Sequence, residues 1–167
     1  NVQGLQSHLA ELTTMIQLSG VMPSLVCLNE TFLDKSVEEV PLEGFDLVAR
    51  RDRDDGRKCG GVAVYAARSI SSRIAELEKS SHSERVWLVL HADTGPFLLG
   101  VWYRPPVPGE TDSIAASEEE WHRLNKDVLG TIVVGDLNLH HIRWLRYSLR
   151  NSAEGELLRE ICDADGL

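Results

Sequence analysis

The sequence has few cysteines and no long apolar run, and both shortages narrow the class of protein. Its three cysteines, Cys27, Cys59 and Cys162, are far apart and form no C-x-x-C pattern. This number and spacing predict neither a disulfide framework nor a zinc site, and they favour a reduced, intracellular setting. No apolar run is long enough to span a bilayer, so the sequence predicts no membrane segment.

Net positive charge is lacking as well. The formal net charge is −9 at pH 7, from 26 acidic and 17 basic side chains. Simple electrostatic adhesion to nucleic acid normally needs a basic face, so this balance disfavours it. The balance is compatible with a site where carboxylates surround a divalent cation, because the charge of the cation then has to be counted locally.

Helical and strand-like patterns alternate along the 167 residues, a length that fits one domain. Apolar side chains recur at helical spacing in three segments, whereas short β-branched runs predict strands. The predicted helices cover 5–18, about 117–130 with Ser117 and Glu120 as a capping box, and a last segment from about 151. The predicted strands cover 24–29, 45–49, 62–67, 85–91, 97–103 and 131–135, with an exposed charged turn at 50–58.

The middle of the chain has the pattern of a hairpin. Two strand segments flank Asp93-Thr94-Gly95-Pro96, a sequence typical of a turn. A hairpin among strands that otherwise alternate with helices predicts a mixed sheet rather than a purely parallel one. The expected class is therefore α/β with mixed sheets flanked by helices.

Five polar residues follow or border strongly apolar segments: Asn1, Glu30, Tyr103, Asp136 and Asn138. If the strands lie side by side, these residues gather at one rim of a sheet, where scaffolds usually place their sites. In isolation each has a plainer interpretation. A lone Glu after a strand is usually solvated, Asx residues are frequent turn formers, and a tyrosine beside prolines often only packs.

Taken together, the five residues suit phosphodiester cleavage. A carboxylate such as Glu30 is a suitable ligand for Mg²⁺ or Mn²⁺, which then stabilises the leaving oxygen. Asp136 can orient and deprotonate the attacking water. The amides of Asn138 and Asn1 offer uncharged donors, which do not repel an anionic phosphate.

The order of five motifs carries a resemblance. N-x-x-G-L, L-N-E-T-x-L, a double-Gly strand, W-Y-R-P-P and V-G-D-L-N follow one another between Asn1 and Asn138. In this order they resemble the endonuclease/exonuclease/phosphatase superfamily, and specifically the apurinic-type endonuclease domain of non-LTR, LINE-like retrotransposons. The resemblance extends to about Trp144 and implies a four-layered α/β sandwich with mixed sheets.

The resemblance also implies roles for the five residues. Glu30 would be the metal ligand, with Asn1 supporting the metal site, and the ion would be Mg²⁺ or Mn²⁺. Asp136 and Asn138 would serve the nucleophile and the phosphate as catalytic residues, and Tyr103 would touch the phosphate.

Further residues beside these motifs are expected to bind substrate. Arg104 lies in the W-Y-R-P-P motif, and His140 and Arg143 follow the G-D-L-N motif. The partner implied by the resemblance is DNA, with a reverse transcriptase in the same polyprotein and a nuclear location.

The sequence departs from the family pattern at its end. The late aspartate and the terminal S-D-H motif, which supplies the catalytic histidine in the family, have no counterpart before Leu167. Residues 1–167 are therefore expected to be a partial domain, truncated at both ends, with little or no activity alone. Two alternatives remain open: another phosphoesterase of the same fold acting on small phosphates or lipids, and a non-catalytic relic of a retroelement.

Overall fold

The computed structural model describes residues 1–55, 57 and 59–165. The order of the elements along this part of the chain is α1 (Leu5–Leu18), β1 (Leu25–Asn29), β2 (Phe45–Arg51), β3 (Val62–Ala67), a 3-10 turn (Ser71–Arg73), β4 (Ile74–Lys79), β5 (Glu84–Ala92), β6 (Gly95–Tyr103), α2 (Asp112–Leu124), β7 (Thr131–Asp136) and α3 (Ala153–Asp165).

The described strands form two sheets. The first has the order β1-β3-β2 and is antiparallel throughout. The second has the order β4-β5-β6-β7, in which β5 and β6 form the predicted hairpin and β7 pairs with β6 in parallel. The prediction of a mixed sheet is confirmed.

Three apolar clusters define the layers of the fold. In the first, Leu5 and the partly buried face of α1 pack on the first sheet. In the second, side chains such as Val64 and Val101 fill the space between the two sheets. In the third, Ile114 of α2 and Ile161 of α3 cover the outer face of the second sheet. The result is a four-layered sandwich of helix, sheet, sheet and helices, as expected.

The capping-box prediction at Ser117 and Glu120 is wrong. Helix α2 already begins at Asp112, so both residues lie inside it and both are buried. The Ser117 hydroxyl donates to the Ile114 carbonyl oxygen at 2.6 Å, and Glu120 receives hydrogen bonds from strand side chains. A short polar residue followed by Glu three positions later is therefore part of a buried helix face here.

In its described residues, 50–55 and 57, the charged segment predicted at 50–58 is not a fully solvated turn, and the prediction for residues 56 and 58 lies outside the described residues. The side chains of Arg50 and Arg53 are only 15% and 8% exposed, and each pairs with a carboxylate. The sequence did not indicate this burial, because charged residues of alternating sign usually lie in solvent. Here Arg50 pairs with its near neighbour Asp52, and Arg53 pairs with Glu84 on β5.

Strand β7 places the end of the second sheet beside the first. Its residue Asp136 is the register partner of Tyr103 on β6, and Asn29 of β1 donates to the Trp102 carbonyl oxygen at 3.2 Å. Strand β7 is an edge of its sheet among the described strands, and Ile132 and Val133 are 50% and 44% exposed. Within the described ranges, no helix is both long and apolar enough to cross a bilayer.

Candidate phosphodiesterase site

Asn1 joins the two carboxylates that the sequence singles out. Its amide nitrogen Nδ2 donates to Glu30 Oε1 at 2.9 Å and to Asp136 Oδ2 at 2.7 Å. Because Glu30 Oε1 and Asp136 Oδ2 both accept from this one nitrogen, the distance between the two oxygens cannot exceed the sum of the two hydrogen-bond lengths. Residues 1, 30 and 136, remote in sequence, thus meet at the rim where the two sheets adjoin.

The backbone around Glu30 fixes this meeting. The Gly4 N–H donates to the Glu30 carbonyl oxygen at 2.9 Å, which ties the first residues of the chain to the end of β1. Glu30 has φ 58°, a left-handed conformation that is uncommon for residues other than Gly, Asn and Asp. Such conformations are costly and persist mostly where the structure needs a side chain in one direction, as at a functional site.

The loop after β7 holds Asp136 by a local turn. The Asn138 N–H donates to Asp136 Oδ1 at 3.1 Å, and the Asn138 amide Nδ2 donates to the Arg104 carbonyl oxygen at 2.8 Å. Asn138 has φ 47°, which asparagine tolerates better than most residues. The turn-forming and functional interpretations are therefore compatible, because this turn positions the Asp136 carboxylate.

Tyr103 lies next to this carboxylate, at the end of β6. Burial raises the pKa of the Tyr103 phenol to about 12, and the negative charge of Glu30 adds to the rise. The guanidinium of Arg53 acts in the opposite direction, and its carbon lies 6.0 Å from the centre of the Tyr103 ring. At neutral pH the phenol keeps its proton and is a hydrogen-bond donor.

The contacts of Arg104 favour a structural role over the expected substrate contact. Its side chain is 1% exposed, and its nitrogens donate to the carbonyl oxygens of Val107 and Glu110 and to the Glu110 carboxylate. Glu154 of α3 lies 3.6 Å from the same guanidinium. Arg104 thereby fastens the segment after β6 to α3 and supports Asn138 through its backbone.

The other two expected substrate contacts, His140 and Arg143, lie on the exposed loop after Asn138. Their accessibility is compatible with substrate binding, which stays a prediction. The neighbouring His141 is buried, and its ring accepts from the Arg143 N–H at 3.2 Å and lies 3.2 Å from Glu156. His141 is thus a structural residue of this loop.

Two cavities meet at Asp136. The larger, about 580 Å³, is mainly apolar and runs along β7 beneath α2 and α3, past Trp121 and Trp144. The smaller, about 440 Å³, lies between the sheets and is lined by Asn1, Cys27, Asn29, Val134, Gly135 and Asp136. Asn1 and Asp136 both line the smaller cavity, so the hydrogen bond between the Asn1 amide and the Asp136 carboxylate borders it.

The converging groups fit a hard divalent cation. The carboxylates of Glu30 and Asp136 and the side-chain oxygen of Asn1 are donors of the kind that Mg²⁺ binds in proteins. The Asn1 amide nitrogen, which donates to both carboxylates, is neutral and offsets little of their negative charge. A different group, Glu118, His122 and Asp165, also brings three ligand atoms within 4.8 Å of one another. In that group His122 lies near both carboxylates, which accounts for the cluster without an ion.

Three residues of this region were missed by sequence reasoning. Asn29 is a buried polar residue at the end of an apolar strand. A polar residue in that position could have been predicted to belong to the site, but the prediction was made only for the next residue, Glu30. Arg53 and Glu84 form an ion pair beside Tyr103, across a sequence separation of 31 residues. No local pattern predicts such a pair.

Similar folds occur in solved structures. The endonuclease domain of TRAS1, a telomere-specific non-LTR retrotransposon, matches with a TM-score of 0.67 and 13% identity over 93% of this chain. The 3'-5' exonuclease NExo from Neisseria meningitidis matches with a TM-score of 0.67 and 14% identity over 98%. The human Nocturnin catalytic domain matches with a TM-score of 0.58 and 13% identity over 83%. The chain has the endonuclease/exonuclease/phosphatase fold.

The present chain spans only part of these proteins of the same fold. It covers 64% of the TRAS1 domain, 68% of the exonuclease and 61% of the Nocturnin domain. No family model and no curated protein matches the sequence. At identities this low, the likeness establishes the endonuclease/exonuclease/phosphatase fold and leaves the activity to be argued from the site.

The conformation of Glu30 leads to a prediction about stability. We expect Glu30→Gly to be more stable than Glu30→Ala by about 1 kcal/mol, because only glycine adopts a left-handed conformation without steric cost. Both variants lose the carboxylate, so the comparison isolates the backbone. Urea unfolding measures the difference.

The control for this comparison is Ala10→Gly in the middle of α1. There glycine should lower stability, by about 1 kcal/mol, because the position is helical. Equal stability of the two Glu30 variants would mean that the backbone at this residue is not strained.

Proposed function

We propose that this chain is part of a Mg²⁺- or Mn²⁺-dependent phosphodiester hydrolase, namely a DNA-nicking endonuclease domain of the non-LTR retrotransposon type. The observation that carries the proposal is the Asn1 amide, which bonds to the carboxylates of both Glu30 and Asp136. The fold adds support, since a non-LTR retrotransposon endonuclease and an exonuclease share it.

Each residue of the site has a role in this proposal. Glu30 and Asn1 would hold the cation, which would supply Lewis-acid stabilisation of phosphate and leaving-group charge. Asp136 orients the attacking water and accepts its proton. Asn138 fixes the Asp136 carboxylate through its N–H, and Tyr103 donates its phenolic proton in a hydrogen bond to a phosphate oxygen.

The proposed substrate is duplex DNA, with the exposed His140 and Arg143 flanking the site as substrate contacts. The net charge of −9 makes the cation essential for binding, because a metal-free site of this kind repels a phosphodiester. Because the proposed substrate is DNA, the proposed location is the nucleus. The proposed context is a polyprotein with a reverse transcriptase.

Metal titration tests the proposal. We expect one Mn²⁺ to bind at the site, and Glu30→Gln to weaken its affinity by at least about tenfold, because a charged ligand becomes a neutral one. Glu39→Gln is the matched control, since it removes the same charge at an exposed residue of the loop before β2. Isothermal calorimetry measures both.

Two outcomes would contradict the proposal. Absence of Mn²⁺ binding by the folded chain would remove the metal site. Equal effects of Glu30→Gln and Glu39→Gln would mean that only overall charge matters. A labelled DNA duplex and a soluble phosphate monoester, compared as ligands of the Mn²⁺-loaded chain, separate the endonuclease from another phosphoesterase of the same fold.

A further inference from the structure

Arg53 is a buried cation beside the candidate site. Its side chain is 8% exposed, its Nε donates to Glu84, and its Nη1 donates to the Cys59 sulfur at 2.9 Å. The remaining nitrogen, Nη2, is buried and has no hydrogen-bond partner among the described residues. Buried guanidinium groups normally use all their donors, so this position needs an explanation.

One group that the guanidinium faces is the aromatic ring of Tyr103. The guanidinium carbon is 6.0 Å from the centre of the Tyr103 ring, at the outer limit of a cation–π contact. Arg53 is therefore held by hydrogen bonds to Glu84 and Cys59 and lies within reach of a cation–π contact with Tyr103.

The double glycine before β3 makes this arrangement possible. Glu84 receives a hydrogen bond from the Gly61 N–H as well as from Arg53, and a Cβ atom on Gly60 would collide with its carboxylate. Glu84 is also the register partner of Tyr103 across β5 and β6. The double-glycine motif thus allows the carboxylate that anchors Arg53 to lie beside Tyr103.

Charge gives Arg53 a second effect on Tyr103. The carboxylates of Glu30, Glu84 and Asp136 all raise the pKa of the Tyr103 phenol, and Arg53 is the cation that lowers it. Without Arg53, the environment of the phenol is both more negative and less confined. Either change opposes a hydrogen bond from the phenol to an anionic phosphate oxygen.

We propose that Arg53 is a positioning residue of this site: anchored by Glu84, it orients the Tyr103 ring and offsets the carboxylates around the phenol, so that Tyr103 binds a phosphodiester. Arg53 acts through Tyr103, since its own nitrogens are closed off from solvent or already bonded. The inference rests on the proposed function and adds a residue to it.

A double-mutant cycle tests the inference. The ligand is a fluorescently labelled DNA duplex, bound to the chain in saturating Mn²⁺ and followed by anisotropy. We expect Arg53→Met to weaken binding about tenfold, or about 1.4 kcal/mol. The same substitution should have less than about a twofold effect in the Y103F background, because residues that act through one another are not additive.

The control is Arg50→Met. Arg50 lies on the same segment and is similarly buried, but its nitrogens all bond to Asp52 and to the carbonyl oxygens of Asp34 and Val37. It should leave duplex affinity unchanged within about twofold. Arg53→Lys, which keeps the charge, should recover part of the affinity, and this recovery should be lost in the Y103F background.

A fold defect has to be separated from a binding defect. If Arg53→Met unfolds the chain by leaving Glu84 unpaired, the same cycle is run with Arg53→Gln, whose neutral amide can still donate a hydrogen bond to the Glu84 carboxylate while the positive charge is gone.

The outcomes are distinct. Equal losses on Arg53→Met in the wild-type and Y103F backgrounds would overturn the inference and leave the proposed function intact. A folded wild-type chain that binds neither Mn²⁺ nor duplex would overturn the proposed function, and the inference with it.

Discussion

Replacing Glu120 by alanine is expected to cost about 3–5 kcal/mol of unfolding free energy, a large share of the stability of a domain this size. The Glu120 carboxylate receives hydrogen bonds from Arg85 Nε at 2.8 Å, Trp87 Nε1 at 2.7 Å and Ser80 Oγ at 2.6 Å. Arg85 is fully buried. The substitution would remove the carboxylate that pairs with this buried charge.

Urea unfolding of Glu120→Ala measures this loss. Glu119→Ala is the matched control, since Glu119 is the exposed neighbour on α2 and should change stability by less than about 0.5 kcal/mol. The double variant Arg85→Met with Glu120→Leu should recover most of the loss, because it removes both buried charges. A loss of under 1 kcal/mol for Glu120→Ala would contradict this account.

The same carboxylate makes stability depend on pH. Burial alone would raise the pKa of Glu120, but the hydrogen bonds and charge of Arg85, with Ser80 and Trp87, bring the pKa below its ordinary value of 4.5. Its stabilising contribution is therefore complete above pH 4.5 and is lost as the pH falls through the lower pKa of the folded state. The difference in stability between wild type and Glu120→Ala should shrink in acid.

The elements that were predicted well are those whose pattern is local. The helix from Leu5 to Leu18 has the predicted bounds, because one apolar stripe faces the first sheet and supplies the whole signal. The strand from Val62 to Ala67 is buried on both faces, so a continuous apolar run predicted it. Where the burial of an element follows directly from its own apolar pattern, the sequence was sufficient to predict it.

The elements that were missed depend on distant partners. Strand β4, with the sequence IAELEK, is largely exposed and contains Ala, Glu and Leu, which favour helices; its pairing with β5 overrides that preference. Glu120 was misassigned for the same reason, since Arg85 lies 35 residues away. In both cases the structure depends on contacts between residues far apart in sequence, and a local sequence pattern does not predict such contacts.

The candidate site shows the same division. Strand ends and family motifs predicted Asn1, Glu30 and Asp136, and the structure brings these three together. The ion pair of Arg53 with Glu84 depends on how β5 and the 50–58 segment meet, which is a property of the assembled sandwich. The motifs predicted the residues that would contact the cation and the water. The residues that pack against them, Arg53 and Glu84, are evident only from the folded structure.

Supercoiled plasmid incubated with this chain and Mg²⁺ is expected to stay supercoiled. The site gathers Glu30, Asp136 and Asn1, but among the described residues no histidine hydrogen-bonds to either carboxylate. A positioned acid–base group contributes about 10²- to 10⁴-fold to the rate. Gel electrophoresis should therefore show nicking below about one hundredth of the rate of a complete enzyme, while Mn²⁺ still binds.

Chemical rescue separates a missing group from a misfolded site. If an imidazole group is what the chain lacks, then adding imidazole to the reaction should raise nicking by about tenfold or more, because imidazolium can protonate the leaving oxygen while Asp136 accepts the proton of the attacking water. Asp136→Asn should abolish this rise, because the water would lose its acceptor. Robust nicking without imidazole would show that this chain already contains its acid–base group, with the exposed His140 the first residue to replace.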